Sequence, residues 1–165
     1  HVKLGKRSIS ETERQSLEQV IGRRNLVVRS IESDEPEANE QQTHQFMAGI
    51  VRSGQILEVE GNLVFIGDVN PGGKIVAGGD IYILGSLRGI AHAGKDGNRQ
   101  AVIASAHFAP TQIRIADAIS RPPDEWEIHD AAMMFAFMKG EHMEIEKITH
   151  LYRLRPDAFE IYRGE

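Results

Sequence analysis

Apolar residues occupy both parities of two short segments that repeat one another. Gly61-Asn62-Leu63-Val64-Phe65-Ile66-Gly67-Asp68-Val69 recurs as Gly79-Asp80-Ile81-Tyr82-Ile83-Leu84-Gly85-Ser86-Leu87, offset by 18 residues without a gap. A fixed short period is the mark of stacked repeats. Eighteen residues divide into three faces of about six, each a short strand, with successive turns about 4.8 Å apart. The pattern therefore predicts a mainly β protein built on a triangular parallel β-helix. Twelve of the 16 glycines fall between Gly49 and Gly97, where the corners of such a helix need sharp turns or positive φ. Leu63, Phe65 and Val69, with Ile81, Ile83 and Leu87, form the inward stack. Val64, Ile66, Tyr82 and Leu84 have the opposite parity, where a solvated strand face would be polar. Two readings account for this second row: a neighbouring segment of the same chain covers it, or it is the face of a homodimer. The dimer is the favoured reading.

The flanks follow other patterns. Residues 1–31 read as strand, helix, strand: an extended start at His1, a capping box at Ser10 and Glu13, a helix carrying Leu17, Val20 and Ile21, and a β-branched strand from Leu26 to Ile31. So little material buries little surface, and the segment reads as the C-terminal half of an α/β domain that is truncated at His1. Residues 32–46 hold Glu32, Asp34, Glu35, Glu37 and Glu40 without a basic residue, as a solvated linker does. The repeat domain is expected over 47–123, ending at Pro122-Pro123. Residues 124–165 are expected to cap it, through a hairpin around Gly140 and a short helix from Thr149 to Arg155 stopped by Pro156. The methionines at 133, 134, 138 and 143 read as flexible core filler rather than a binding stripe.

Composition narrows the function. A net charge of −5 and a pI near 5.8 provide no basic footprint and argue against a nucleic-acid binder. With no cysteine there is neither a disulfide framework nor a thiolate metal site, which fits a reducing cytoplasm. No apolar run has the length of a membrane span, so membrane association is expected only through a partner.

Candidate chemistry is thin. Gly89-Ile90-Ala91-His92-Ala93-Gly94-Lys95 fits the start of a phosphate-binding loop, yet Asp96 stands where a hydroxyl should hold magnesium, and Gly97-Asn98 follows where a helix should begin. The seven histidines have no metal-binding or zincin spacing, and there is no nucleophile elbow. No catalytic residue, metal or cofactor is predicted. The alternative is a hexapeptide-repeat acyltransferase with His92 or His107 as base. Ile66-Gly67, Leu84-Gly85 and Ile90-Ala91 mimic its aliphatic–small pairs, but the period is 18 and not six.

Four blocks in order carry a more specific signal: Arg52-Ser53-Gly54-Gln55, Gly67-Asp68-Val69-Asn70-Pro71-Gly72, Gly85-Ser86-Leu87-Arg88-Gly89 and Ala91-His92-Ala93-Gly94. Together they resemble the C-terminal domain of the MinC family of bacterial septum-site regulators, and the likeness extends over the whole chain. The resemblance implies a right-handed β-helix that dimerises through one face and has no enzymatic activity. It implies an N-terminal domain, incomplete here, that antagonises polymers of FtsZ. It further implies that Arg52, Ser53, Gly54 and Gln55 bind the ATPase MinD, with Asp68 and Asn70 in the neighbouring coil. MinD would then bring a cytoplasmic protein to the inner face of the cell membrane. Read without the family, residues 52–55 are a solvated loop entering the first coil.

Overall fold

The computed structural model describes Val2–Lys3, Ile31–Glu32, residues 43–121 and 132–156, Phe159 and Gly164. The chain divides into two compact units, His1–Gln41 and Gln42–Glu165. In the first, strands β1 (Val2–Lys3) and β2 (Ile31–Glu32) pair in parallel, as a strand–helix–strand unit requires. β2 includes Glu32, one residue past the strand expected from the sequence. The predicted capping box and helix, and most of the predicted linker, lie outside the described residues.

The second unit is a β-solenoid of four coils. Each coil pairs one long strand with one short strand: β3 (His44–Val51) with β4 (Ile56–Val59), β5 (Asn62–Val69) with β6 (Lys74–Ala77), β7 (Ile81–Leu87) with β8 (Ile90–Ala93), and β9 (Ile103–Phe108) with β10 (Gln112–Ile115). The first coil begins at His44, three residues before the expected start. Long strands stack on long and short on short, all in parallel. Two antiparallel additions end the stack. β11 (Ala118–Ser120) closes the short sheet, and the hairpin of β12 (Ala132–Lys139) and β13 (His142–Lys147) closes the long one. A 3-10 turn, Ile148–His150, and a one-turn helix α1, Leu151–Leu154, follow where a short helix was expected.

The core is a set of columns running up the solenoid. Leu63, Ile81 and Ile103 form one; Val51, Val69, Leu87 and Phe108 another; Leu57, Ile75, Ala91 and Ile113 a third. All six residues predicted to point inward are buried. Each such side chain contributes roughly 1.5–3 kcal/mol by leaving water.

Register is set by backbone contact between coils. Gly49 and Gly67 are paired in the long sheet, with φ of 147° and 144°. A left-handed residue inside a strand kinks it, so β3 and β5 each bend at this glycine and supply two sides of the prism, with the short strand as the third. A Cβ on Gly85 would collide with the carbonyl oxygen of Gly67 in the coil below. Gly54, by contrast, needs glycine for its φ of 80° alone, with nothing within 4 Å of the added carbon. Gly85→Ala should therefore cost about 2–3 kcal/mol, because backbone cannot yield as a side chain does. Gly54→Ala should cost only about 1 kcal/mol, the usual left-handed penalty. Urea denaturation of both variants measures the difference.

Candidate functional site

One corner of the solenoid is built from repeated tight turns. Residues 52–55 join β3 to β4: the Gln55 amide donates to the Arg52 carbonyl at 2.9 Å, and Gly54 takes the positive φ that the third position of a type II turn demands. One coil on, residues 70–73 repeat it. The Gly73 amide donates to the Asn70 carbonyl at 2.9 Å, Pro71 fits the second position and Gly72 has φ 81°. The turns are bonded to each other by Gly54 N–H to the Gly72 carbonyl at 3.0 Å. In the third coil the corner shrinks to Arg88 and Gly89, whose amides both donate to the Val69 carbonyl.

Every residue of the first turn is exposed. Gln55 folds back so that its Oε1 accepts from the Arg52 amide at 2.8 Å, which stiffens the turn. Among the described residues the Arg52 guanidinium has no partner, so its planar fork of donors remains available. Asn70 follows Val69 and Arg88 follows Leu87, at the same place in their coils as Arg52 after Val51. The three therefore line one edge. Arg88, which donates to Ser86 Oγ at 3.3 Å, was not among the predicted site residues. Its 18-residue spacing from Asn70 was the available signal. Asp68, inside β5 and paired with Ile50, has a structural duty, accepting from the Ser86 amide at 2.7 Å and thereby holding the next coil.

The second apolar row forms a block on the outer face of the long sheet, where Val64 pairs with Tyr82 and Ile66 with Leu84. Ile66 and Leu84 are more than half exposed, at 53% and 59%. Tyr82 is half-buried against the C-terminal segment, and its hydroxyl donates to Asp80 Oδ2 at 3.1 Å. The chain's own C-terminal segment therefore covers the upper end of this row, and the lower end is exposed. Phe46, paired with Val64 and 74% exposed, extends the open part. The sequence reading left it in the linker, although stepping 18 residues back from Val64 reaches it.

The remaining candidates resolve into structural roles. Lys95, the lysine of the apparent phosphate loop, binds Glu58 and Glu60 at 2.7 and 2.9 Å and holds the Glu58 carboxyl below its ordinary range. No helix follows it, and Gly94 and Gly97 take φ of 60° and 105° in the loop after β8. His107 is exposed on β9. His92 lies on the outer side of β8, with Nε2 3.1 Å from the Ala116 carbonyl. A carbonyl only accepts, so that nitrogen carries the proton. Among the described residues, no group of three or more His, Asp and Glu is placed to hold a metal, and no helix is long and apolar enough to cross a membrane.

Burial holds the His92 imidazole below its ordinary value of 6.5, outweighing the Ala116 carbonyl, and Arg114 and Lys74 add to the shift. The folded protein thus binds this proton less readily than the unfolded chain. The associated stability is full above pH 6.5 and falls as the pH drops through and below that value. His92→Gln, which keeps a donor for Ala116, should flatten the fall in urea midpoint between pH 7 and 5.

Comparison with known proteins places this architecture. The family described as "Septum formation inhibitor MinC, C-terminal domain" matches residues 45–148. "Probable septum site-determining protein MinC" of Bacillus mycoides (strain KBAB4) is 44% identical over 171 aligned positions, covering 99% of this chain and 75% of that relative. The protein of the same name from Bacillus cytotoxicus is 43% identical over 172 positions, with the same coverage. Among solved structures, a chain of the "MinC:MinD cell division protein complex" of Aquifex aeolicus superimposes with a TM-score of 0.61 at 26% identity. The match covers 72% of this chain and 99% of that one.

Proposed function

This chain belongs to the MinC family of septum formation inhibitors, and we propose that it works as a homodimer that docks the ATPase MinD through the corner of residues 52–55. The family is one of division regulators and not of enzymes, so the acyltransferase alternative has no support. The observation that carries the docking site is the bonded pair of type II turns, which presents Arg52, unpartnered among the described residues, on a rigid edge with Asn70 and Arg88. Anchors of this kind dominate interfaces because the guanidinium binds a carboxylate through two parallel hydrogen bonds and its position is fixed before contact. The Aquifex structure carries MinC and MinD in one complex, which supports the same partner here.

The division of labour follows the prism. The outer face of the long sheet, through Phe46, Ile66 and Leu84, joins two copies, and each copy offers one corner to MinD. MinD confers membrane residence, while the protein itself stays cytoplasmic and inhibits FtsZ assembly away from mid-cell through its N-terminal domain. No nucleic acid and no cofactor takes part.

Two substitutions separate the surfaces. Arg52→Ala should reduce ATP-dependent co-sedimentation with MinD on lipid vesicles to the level seen with ADP. A hot-spot loss of about 2 kcal/mol or more corresponds to roughly thirtyfold in affinity. Undiminished capture would overturn the site. Leu84→Glu places a charge in the apolar contact and should give monomers by sedimentation velocity.

A further inference from the structure

The covered end of the outer apolar row has an unusual cover. Residues 148–156 comprise the 3-10 turn, α1 and two following residues. Neither helical turn has a side-chain cap, and Leu151 is the only buried residue of the two. Leu151 sits among Val102, Ala104, Phe135 and Phe137, with Tyr82 and Ile148 against the edge. Among the described residues, one polar anchor ties the segment down at long range. Arg155 Nη1 donates to the Gln100 carbonyl and reaches Asp80 Oδ1 at 3.4 Å. Asp80 is buried, and it also accepts from the Val102 amide at 3.0 Å and from the Tyr82 hydroxyl. Past Leu151 the segment no longer fills the space over the sheet: a cavity of about 660 Å³ opens between Leu154, Arg155 and Pro156 and the wall of Gln100, Val102 and Phe137.

We propose that residues 148–156 are a strap that lifts off the long sheet as a unit, held shut by Arg155, and that lifting it extends the dimer face. A segment with one buried side chain, one long-range anchor at Arg155 and one exposed local contact, His150 Nδ1 to Glu146 Oε2 at 3.3 Å, opens at lower free energy than the strands it covers. What it uncovers continues the exposed row: Phe46 pairs with Val64, Val64 with Tyr82, Tyr82 with Ala104 and Ala104 with Phe135. Shut, α1 is a step about 10 Å high that stops a second flat face from reaching the upper coils. Open, it lets the whole column be buried between two copies. The extension rests on the dimer proposed above, whereas the opening does not.

Hydrogen exchange on the full chain tests the opening. Arg155→Gln should speed exchange at least tenfold within 148–156 and at the Val102 amide, leaving Ile83 and Leu87 unchanged, and Arg155→Lys should lie between. Unaltered exchange in 148–156, or a rise shared equally by the solenoid strands, overturns the strap. Sedimentation equilibrium tests its consequence: Arg155→Gln should tighten the dimer at least threefold. Faster exchange with an unchanged dimer constant would overturn the extension of the face. A wild-type chain that sediments as a monomer at every concentration would overturn the dimer itself, and exchange would still decide the strap.

Discussion

The solenoid depends on backbone meeting backbone between coils. In the long sheet, the carbonyl of one coil occupies the space where a side chain of the next would begin, at Gly67 over Gly49 and at Gly85 over Gly67. Gly78 stands over the Glu60 carbonyl in the same way. These contacts fix the rotation of each coil on the one below. With rotation fixed, equivalent side chains must fall in columns, and a column that is apolar on one coil has to be apolar on the next. A one-residue slip would turn Leu63 and Phe65 outward and break several such contacts at once. The interior can therefore be simple, while the register remains unique.

That rigidity explains where variation is tolerated. The corner between long and short strands has four residues in the first two coils, two in the third and three in the fourth. The connection from β8 to β9 has nine residues, against three between β6 and β7. Strand lengths barely change. The prism thus supplies flat faces and a straight edge, and the differences between coils accumulate at the corners. The two turns with a full four residues stack on each other and carry Arg52 and Asn70. The shortened third turn brings Arg88 in close behind them.

Most of this architecture was legible because its cause is periodic. The 18-residue offset identified the inward stack, the glycine corners and the outward apolar row directly from Leu63 to Leu87. Legibility ended where periodicity did. The short-sheet register steps by 16 residues from Lys74 to Ile90 and then by 22 from Ile90 to Gln112, so a fixed period could not place the fourth coil. Phe46 was missed because its coil has acidic sequence before it, although the offset itself reaches that far. The 52–55 turn was marked by family resemblance alone. Nothing in its composition distinguishes an exposed docking turn from an exposed connecting turn, and the structure adds the stacking that makes the edge stiff. Tyr82 shows the remaining limit, because its cover comes from residues about 70 positions away and no local pattern encodes it.

The ladder that runs through Asn62 and Asp80 shows how the repeat is brought to an end. Asn62 has both a donor and an acceptor. Its Nδ2 reaches His44 Nδ1 one coil below, and its Oδ1 accepts the Asp80 amide at 2.7 Å one coil above. An amide in that position can pass the bond along from coil to coil. Asp80 occupies the next rung and only accepts. Its donors come from Val102 in the long connection, from Tyr82 and from Arg155 in the tail, rather than from an equivalent side chain above. Exchanging an amide for a carboxylate changes one atom of the repeat, and it converts a ladder that propagates into one that collects donors from capping segments. The 18-residue spacing fails at the same coil, and one more parallel coil, β9 and β10, is laid down before the antiparallel β11 and β12 close the two sheets. The side-chain ladder thus ends one coil before the parallel stack does, and its last rung is completed by donors from the segments that close the solenoid.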